Sequence, residues 1–143
     1  MKKKIIMVLL LFVSLLFIND CKSSSIAFDV NGNWEITITY PSGSQVVVNI
    51  TFSGSTISGD VYVDGVEAGT YSLNDKAITF NYQLISNAIT YYYDYTGNAK
   101  SDDEMEGDMS YSYENPKSTS SDISKPMIKV PVSKGTWVGK KRK

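Results

Sequence analysis

Six tyrosines are the residues best equipped for chemistry with a small molecule: Tyr82, Tyr91, Tyr93, Tyr95, Tyr111 and Tyr113. They fall on the apolar parity of three consecutive extended segments, so one face of each segment carries phenols. A phenol offers a flat apolar surface and a hydroxyl that both donates and accepts, which suits an amphipathic ligand. The competing expectation is a filled core, because a barrel of about eight strands is just wide enough to hold its own side chains. Tyr62 and Tyr92 lie on the opposite parity and are expected at the surface.

Other chemistries are scarce. With no His and one Cys, Cys/His zinc sites, Cys–His and Ser–His catalysis and an internal disulfide are all excluded. The run Asp102-Asp103-Glu104-Met105-Glu106-Gly107 has the acidic density of a calcium loop. Its twelfth position is Tyr113, where a bidentate Glu is needed. Alternation with Met105 and Met109 instead puts these carboxylates on the wet face of a strand. Asp60 and Asp94 are isolated, with no partner for acid–base work. No catalytic residue, metal or cofactor is expected.

Charge narrows the partners. The chain has 143 residues and a formal charge of -1; without residues 1–20 it keeps 11 basic and 14 acidic side chains. A mildly acidic body argues against nucleic acid, whose binders concentrate positive charge. The one dense basic patch beyond the start is Lys140-Lys141-Arg142-Lys143. It suits contact with an anionic surface, or simply a solvated end that guards a strand edge.

The elements that must position the tyrosines are strands. Trp34, Ile36, Ile38 and Tyr40 alternate with Glu35, Thr37 and Thr39, the two-residue period of a strand with one dry face. Pro41 to Ser44 turns the chain into a second strand with Val46, Val48, Ile50 and Phe52 dry. A third carries Ile57, Val61 and Val63, and Asp64-Gly65 is a strong hairpin signal. The parity then conflicts: Val66 and Ala68 follow Val63, yet Tyr71 and Leu73 must face the same way as Ile78, Phe80, Tyr82 and Leu84. A bulge at Gly65 or Gly69 resolves it. Strands at 78–84, 89–95 and 105–113 follow, with a loop from Gly97 to Asp103. A Ser/Pro/Lys-rich connection with a short apolar patch (Ile128, Val130, Val132) leads to a last strand from Thr136 towards Arg142.

This spacing predicts an all-β domain over residues 31–143, a sandwich or a meander barrel, and the consecutive short turns favour an antiparallel up-and-down barrel of about eight strands. Gly32-Asn33-Trp34 opens the first strand and Gly135-Thr136-Trp137 the last. Trp34 and Trp137 are therefore expected where the two strands meet and close the barrel. The body resembles the calycin group, lipocalins and avidins among them, which place Gly-x-Trp at the start of strand one. The resemblance implies a small barrel and a basic residue of the last strand, Lys140 or Arg142, over Trp34. It implies no particular ligand.

Ahead of the barrel, Met1-Lys2-Lys3-Lys4 is a basic start and Ile5 to Ile18 an apolar run of export-signal length. Cys21 follows, then Lys22 and three serines. The arrangement resembles a bacterial lipoprotein signal, which implies a signal peptide over 1–20, a fatty-acylated Cys21 and a flexible tether over 21–30. The other reading is an ordinary cleaved signal with a free thiol. The function expected is a lipid-anchored binding protein of the bacterial cell envelope, at the outer membrane or cell surface. Its barrel would hold a small apolar or amphipathic ligand near Tyr82, Tyr91, Tyr93, Tyr95 and Tyr111. The alternative is a protein–protein module, an envelope enzyme inhibitor or surface antigen, with a filled core.

Overall fold

The computed structural model describes residues 27–114 and 130–143, with side chains from 133 in the second stretch. The expected signal peptide over 1–20, Cys21 and Ile128 lie outside these residues. Eight strands follow in order: β1 Gly32–Thr39, β2 Gln45–Gly54, β3 Ser58–Val63, β4 Val66–Asn74, β5 Ala77–Ser86, β6 Ile89–Ser101, β7 Glu104–Glu114 and β8 Val130–Lys141. Each pairs with the next, and β8 returns to β1, giving a closed up-and-down barrel. The closing seam sets Trp34 opposite Lys141 and Ile38 opposite Trp137.

The turns supply what the strands need. Asp64 and Gly65 take φ of 48° and 82° between Val63 and Val66, the left-handed pair whose twist matches a tight hairpin. Next to it, Val61 faces Gly69 while Tyr62 faces Glu67, which leaves Ala68 as the extra residue of a bulge. That insertion turns Tyr71 and Leu73 inward. Gly69 is required there, because a Cβ would sit 1.9 Å from the Asn81 carbonyl oxygen.

Two segments are longer than the sequence reading expects. The loop foreseen over 97–103 is mostly strand, since β6 runs to Ser101 and turns at Asp102-Asp103. Gly97 pairs with Gly107; the Trp137 indole lies where a Gly97 side chain would begin, and the β6 backbone lies against Gly107. β8 begins at Val130 rather than Thr136.

The barrel has two unlike ends. At the lower end, where β1 starts and β8 finishes, Phe28 and Val30 are buried against the core. Phe28 meets Trp34 edge to face at 6.3 Å, and the Trp34 indole N–H donates to the Val30 carbonyl at 2.7 Å. Asn31 accepts from the Gly54 amide at 2.9 Å, and Lys141 donates to the Asp29 carbonyl at 2.9 Å. The tether expected over 21–30 is thus corrected at its end: residues 28–30 are a plug. Two buried apolar side chains here contribute up to about 1.5–3 kcal/mol each, which a solvated leash would forfeit.

At the upper end the wall is uneven. Gln45 to Asn49 of β2 pair with β1 alone, and Gln83 to Ser86 of β5 pair with β6 alone. The β3–β4 hairpin, which separates them, has already turned at Asp64-Gly65. Val46 and Leu84, expected on dry faces, are 46% and 39% exposed for this reason. Ile57 is likewise exposed, because it precedes β3 in the turn from β2.

Candidate functional site

The inward aromatic rings form one continuous chain through the barrel. Tyr71 meets Phe52 edge to face, Phe52 meets Phe80, and Phe80 stacks on Tyr95 at 4.3 Å and 7°. Tyr95 leads to Tyr82 at 5.6 Å, Tyr82 to Tyr93 at 4.8 Å, Tyr93 to Tyr111 at 5.7 Å, and Tyr111 to Tyr40 edge to face. The register produces this, since Tyr82 faces Tyr93 across β5–β6 and Tyr93 faces Tyr111 across β6–β7. Two-residue spacing keeps every one of these rings on the interior face.

Along that chain the hydroxyls change character. Low in the barrel, Tyr71 donates to the Ser55 carbonyl at 2.6 Å. Midway, the Tyr82 and Tyr95 hydroxyls bond each other at 2.9 Å, and both residues are almost completely enclosed. Burial pushes both phenols well above their ordinary range, so they stay neutral and act as core. Of the five tyrosines expected to bind ligand, Tyr82 and Tyr95 are therefore spent on packing.

Tyr93, Tyr111 and Tyr40 lie higher and are half-buried against the core. Their hydroxyls have no hydrogen-bond partner among the described residues. Tyr91 and Tyr113 continue the lining above them, with ring centroids 6.3 Å apart. Burial raises the Tyr40 and Tyr93 phenols above the usual value, with smaller contributions from neighbouring tyrosines. The mouth thus presents hydroxyls beside aromatic faces, able to stack on a flat or aliphatic body and to bond its polar atoms. Val46 and Leu84 add apolar rim. Tyr62 and Tyr92 point outward, as their parity indicates, and Tyr92 donates to Glu114 at 2.9 Å.

The remaining candidates resolve as structure. Trp34 and Trp137 are both fully buried at the β1–β8 seam. They do not share one end: Trp34 lies on the plug, while Trp137 sits four residues further up the seam, donating to the Thr96 and Asp108 carbonyls at 3.2 and 3.1 Å. The cation over Trp34 is Lys141 at 5.6 Å, not Lys140 or Arg142. Lys141 shares the inward parity of Trp137 and Gly139, whereas Arg142 pairs with Glu35 outside the barrel. Asp102 and Asp103 form the β6–β7 turn, and Glu106 pairs with Lys100 at 2.9 Å on the outer face. A shallow groove of about 310 Å³ also lies outside, between Thr39, Tyr40, Pro41, Asp108 and Lys134 to Thr136.

Sequence reasoning missed Tyr40 as a mouth residue, although its place on the dry parity of β1 was the available signal. No family model matches the chain, and no curated protein matches it either. Among solved structures, a redesigned β barrel aligns with 84% of this chain and 99% of its own, at 13% identity and a TM-score of 0.33.

Proposed function

We propose that this protein is a binding protein, not an enzyme, and that its ligand sits in the upper mouth on Tyr93, Tyr111, Tyr40 and Tyr91. The observation that carries the reading is the set of half-buried phenols whose hydroxyls find no partner among the described residues. No enclosed polar side-chain atom among the described residues lacks a partner, so these hydroxyls open to solvent, where a molecule that stacks on the rings can bond them in place of water. The ligand class is small and amphipathic, with an aromatic or aliphatic body and at least one hydrogen-bonding edge. It enters the rim and not the barrel centre, which Phe80, Tyr95 and Trp137 fill.

The cell-envelope part of the reading rests on the resemblance of residues 1–25 to a lipoprotein signal. With Cys21 acylated, the six residues from Lys22 to Ala27 reach at most about 20 Å, at roughly 3.3 Å each. The chain joins the barrel at its plugged end, so the mouth would face away from the membrane. Replacing Cys21 with Ser then releases the protein into the soluble fraction.

Mass spectrometry of protein purified from a cell extract, against the Tyr93→Phe/Tyr111→Phe variant, tests the ligand reading. A small molecule retained by the native protein and absent from the variant is expected. Equal retention by both would end it. A second reading, a protein–protein module such as an envelope enzyme inhibitor or surface antigen, draws support from the exposed apolar residues Val47, Val66 and Ile85 around the same rim.

A further inference from the structure

The uneven rim exposes backbone as well as side chains. Asp64 donates its amide to the Asn49 carbonyl at 3.3 Å, the last rung between β2 and the β3–β4 hairpin. Along an antiparallel strand, N–H and C=O of one residue point the same way and alternate from residue to residue. Gln45 and Val47 share the parity of Asn49, so their amides and carbonyls also point towards β3, where no strand remains. On the far side of the gap, Thr79 and Asn81 face β4 by the same rule, because Asn74 and Ala77 close a two-residue turn. Gln83 and Ile85 therefore aim their backbone groups into the gap as well. Two strand positions separate β2 from β5, a span of about 14 Å at roughly 4.8 Å per step.

Among the described residues, nothing gives this edge the usual protection. Proteins guard open edges with charge, proline or covering elements, because an unpaired ladder templates another strand. From Gln45 to Gly59 the chain carries no charged residue, and Val46 and Val47 are about half exposed, one on each face of the edge. Ile85 is 73% exposed on the opposite edge. Among the described residues, the charges at the gap are Asp64 and Glu67, exposed on the hairpin that forms its floor and without an ion pair there.

We infer that the β2 edge, Gln45 to Asn49, accepts an extended segment of a partner protein as an added strand. The segment has four or five neutral β-branched or apolar residues and a basic residue at the end nearest Asp64 and Glu67. The backbone ladder supplies the attraction, Val46 and Val47 select apolar side chains, and the two carboxylates fix direction. This is distinct from the tyrosine mouth, whose ligand bonds phenol hydroxyls and not backbone.

The test uses a synthetic peptide of alternating valine and threonine with one terminal lysine, followed by amide NMR and hydrogen exchange. In the free protein the Gln45 and Val47 amides exchange rapidly; with peptide they become protected and shift. Val47→Pro removes an edge donor that no strand of the barrel uses, and should weaken binding at least tenfold. Val47→Lys, which leaves the backbone intact, should do the same if the proline variant unfolds. Tyr93→Phe should leave peptide affinity unchanged, which separates this surface from the mouth. Slow exchange at Gln45 and Val47 in the free protein would overturn the proposal, since residues 115–129 or a second copy would already occupy the edge. So would equal peptide affinity in the native protein and both Val47 variants.

Discussion

The two ends of the barrel are built from the same kinds of residue and put to opposite uses. At the lower end, aromatic polar atoms are bonded, Trp34 to Val30 and Tyr71 to Ser55, and above them at the centre Trp137 bonds Thr96 and Asp108. At the upper end, Tyr40, Tyr93 and Tyr111 stack as closely, yet their hydroxyls find no partner among the described residues. The difference teaches that the count of aromatics decides little. What separates core from candidate site is whether each ring's polar atom has been satisfied by the protein itself.

Mutations at the two ends should therefore behave unlike each other. Trp34→Ala opens the plugged end and should cost about 3–5 kcal/mol in urea unfolding. A loss below 1 kcal/mol would mean the lower end is no better packed than the mouth. Next comes pH. Tyr82 and Tyr95 are raised above their ordinary value of 10.0 by burial, so the folded state keeps protons that the unfolded chain releases. Their contribution is complete below pH 10 and falls as pH rises beyond it, by about 1.4 kcal/mol per pH unit for each phenol. Ultraviolet titration should show Tyr40 and Tyr93, raised less by their partial burial, ionising before Tyr82 and Tyr95, which ionise only as the barrel unfolds; ionisation of all four in a single step would erase the distinction.

A smaller effect is expected at Gly107, where a Cβ would lie 1.9 Å from the Thr96 carbonyl oxygen. Gly107→Ala should cost about 1–3 kcal/mol by overpacking and should shift the Trp137 fluorescence. Unchanged stability there would show that β6 and β7 can separate without loss. The smallest effect belongs to the mouth. Tyr93→Phe removes a hydroxyl that bonds nothing in the described residues, so its stability should stay within about 0.5 kcal/mol of the native protein. A larger loss would place Tyr93 with the core and remove the contrast.

Much of the fold was legible because alternation is a local signal. Trp34 to Tyr40 announces a strand by its period, Asp64-Gly65 announces a hairpin, and the parity conflict before Tyr71 demands a bulge. Phe28 and Val30 were not legible, since two apolar residues beyond a serine run have no period to read. The ion over Trp34 was misplaced by one residue because the last strand's parity is set by pairing with Ile36 and Ile38, which only register reveals. The tyrosine cluster was visible as a set, but its division was not. Whether Tyr82 or Tyr93 is enclosed depends on where neighbouring strands end, and that height is fixed by β3 and β4, far away in sequence.

The plug also fixes where the chain enters and leaves the barrel. The chain comes in under Trp34 and leaves beside it, with the Arg142 amide bonded to the Asn33 carbonyl at 2.8 Å. Attachments to either end of the barrel are therefore carried on the sealed face. A short linker joining residue 143 to residue 27 would give a circular chain, and new ends could then be opened in the Asp102-Asp103 turn. As a display scaffold, the protein would offer its open rim to solution while every covalent connection stays on the opposite side.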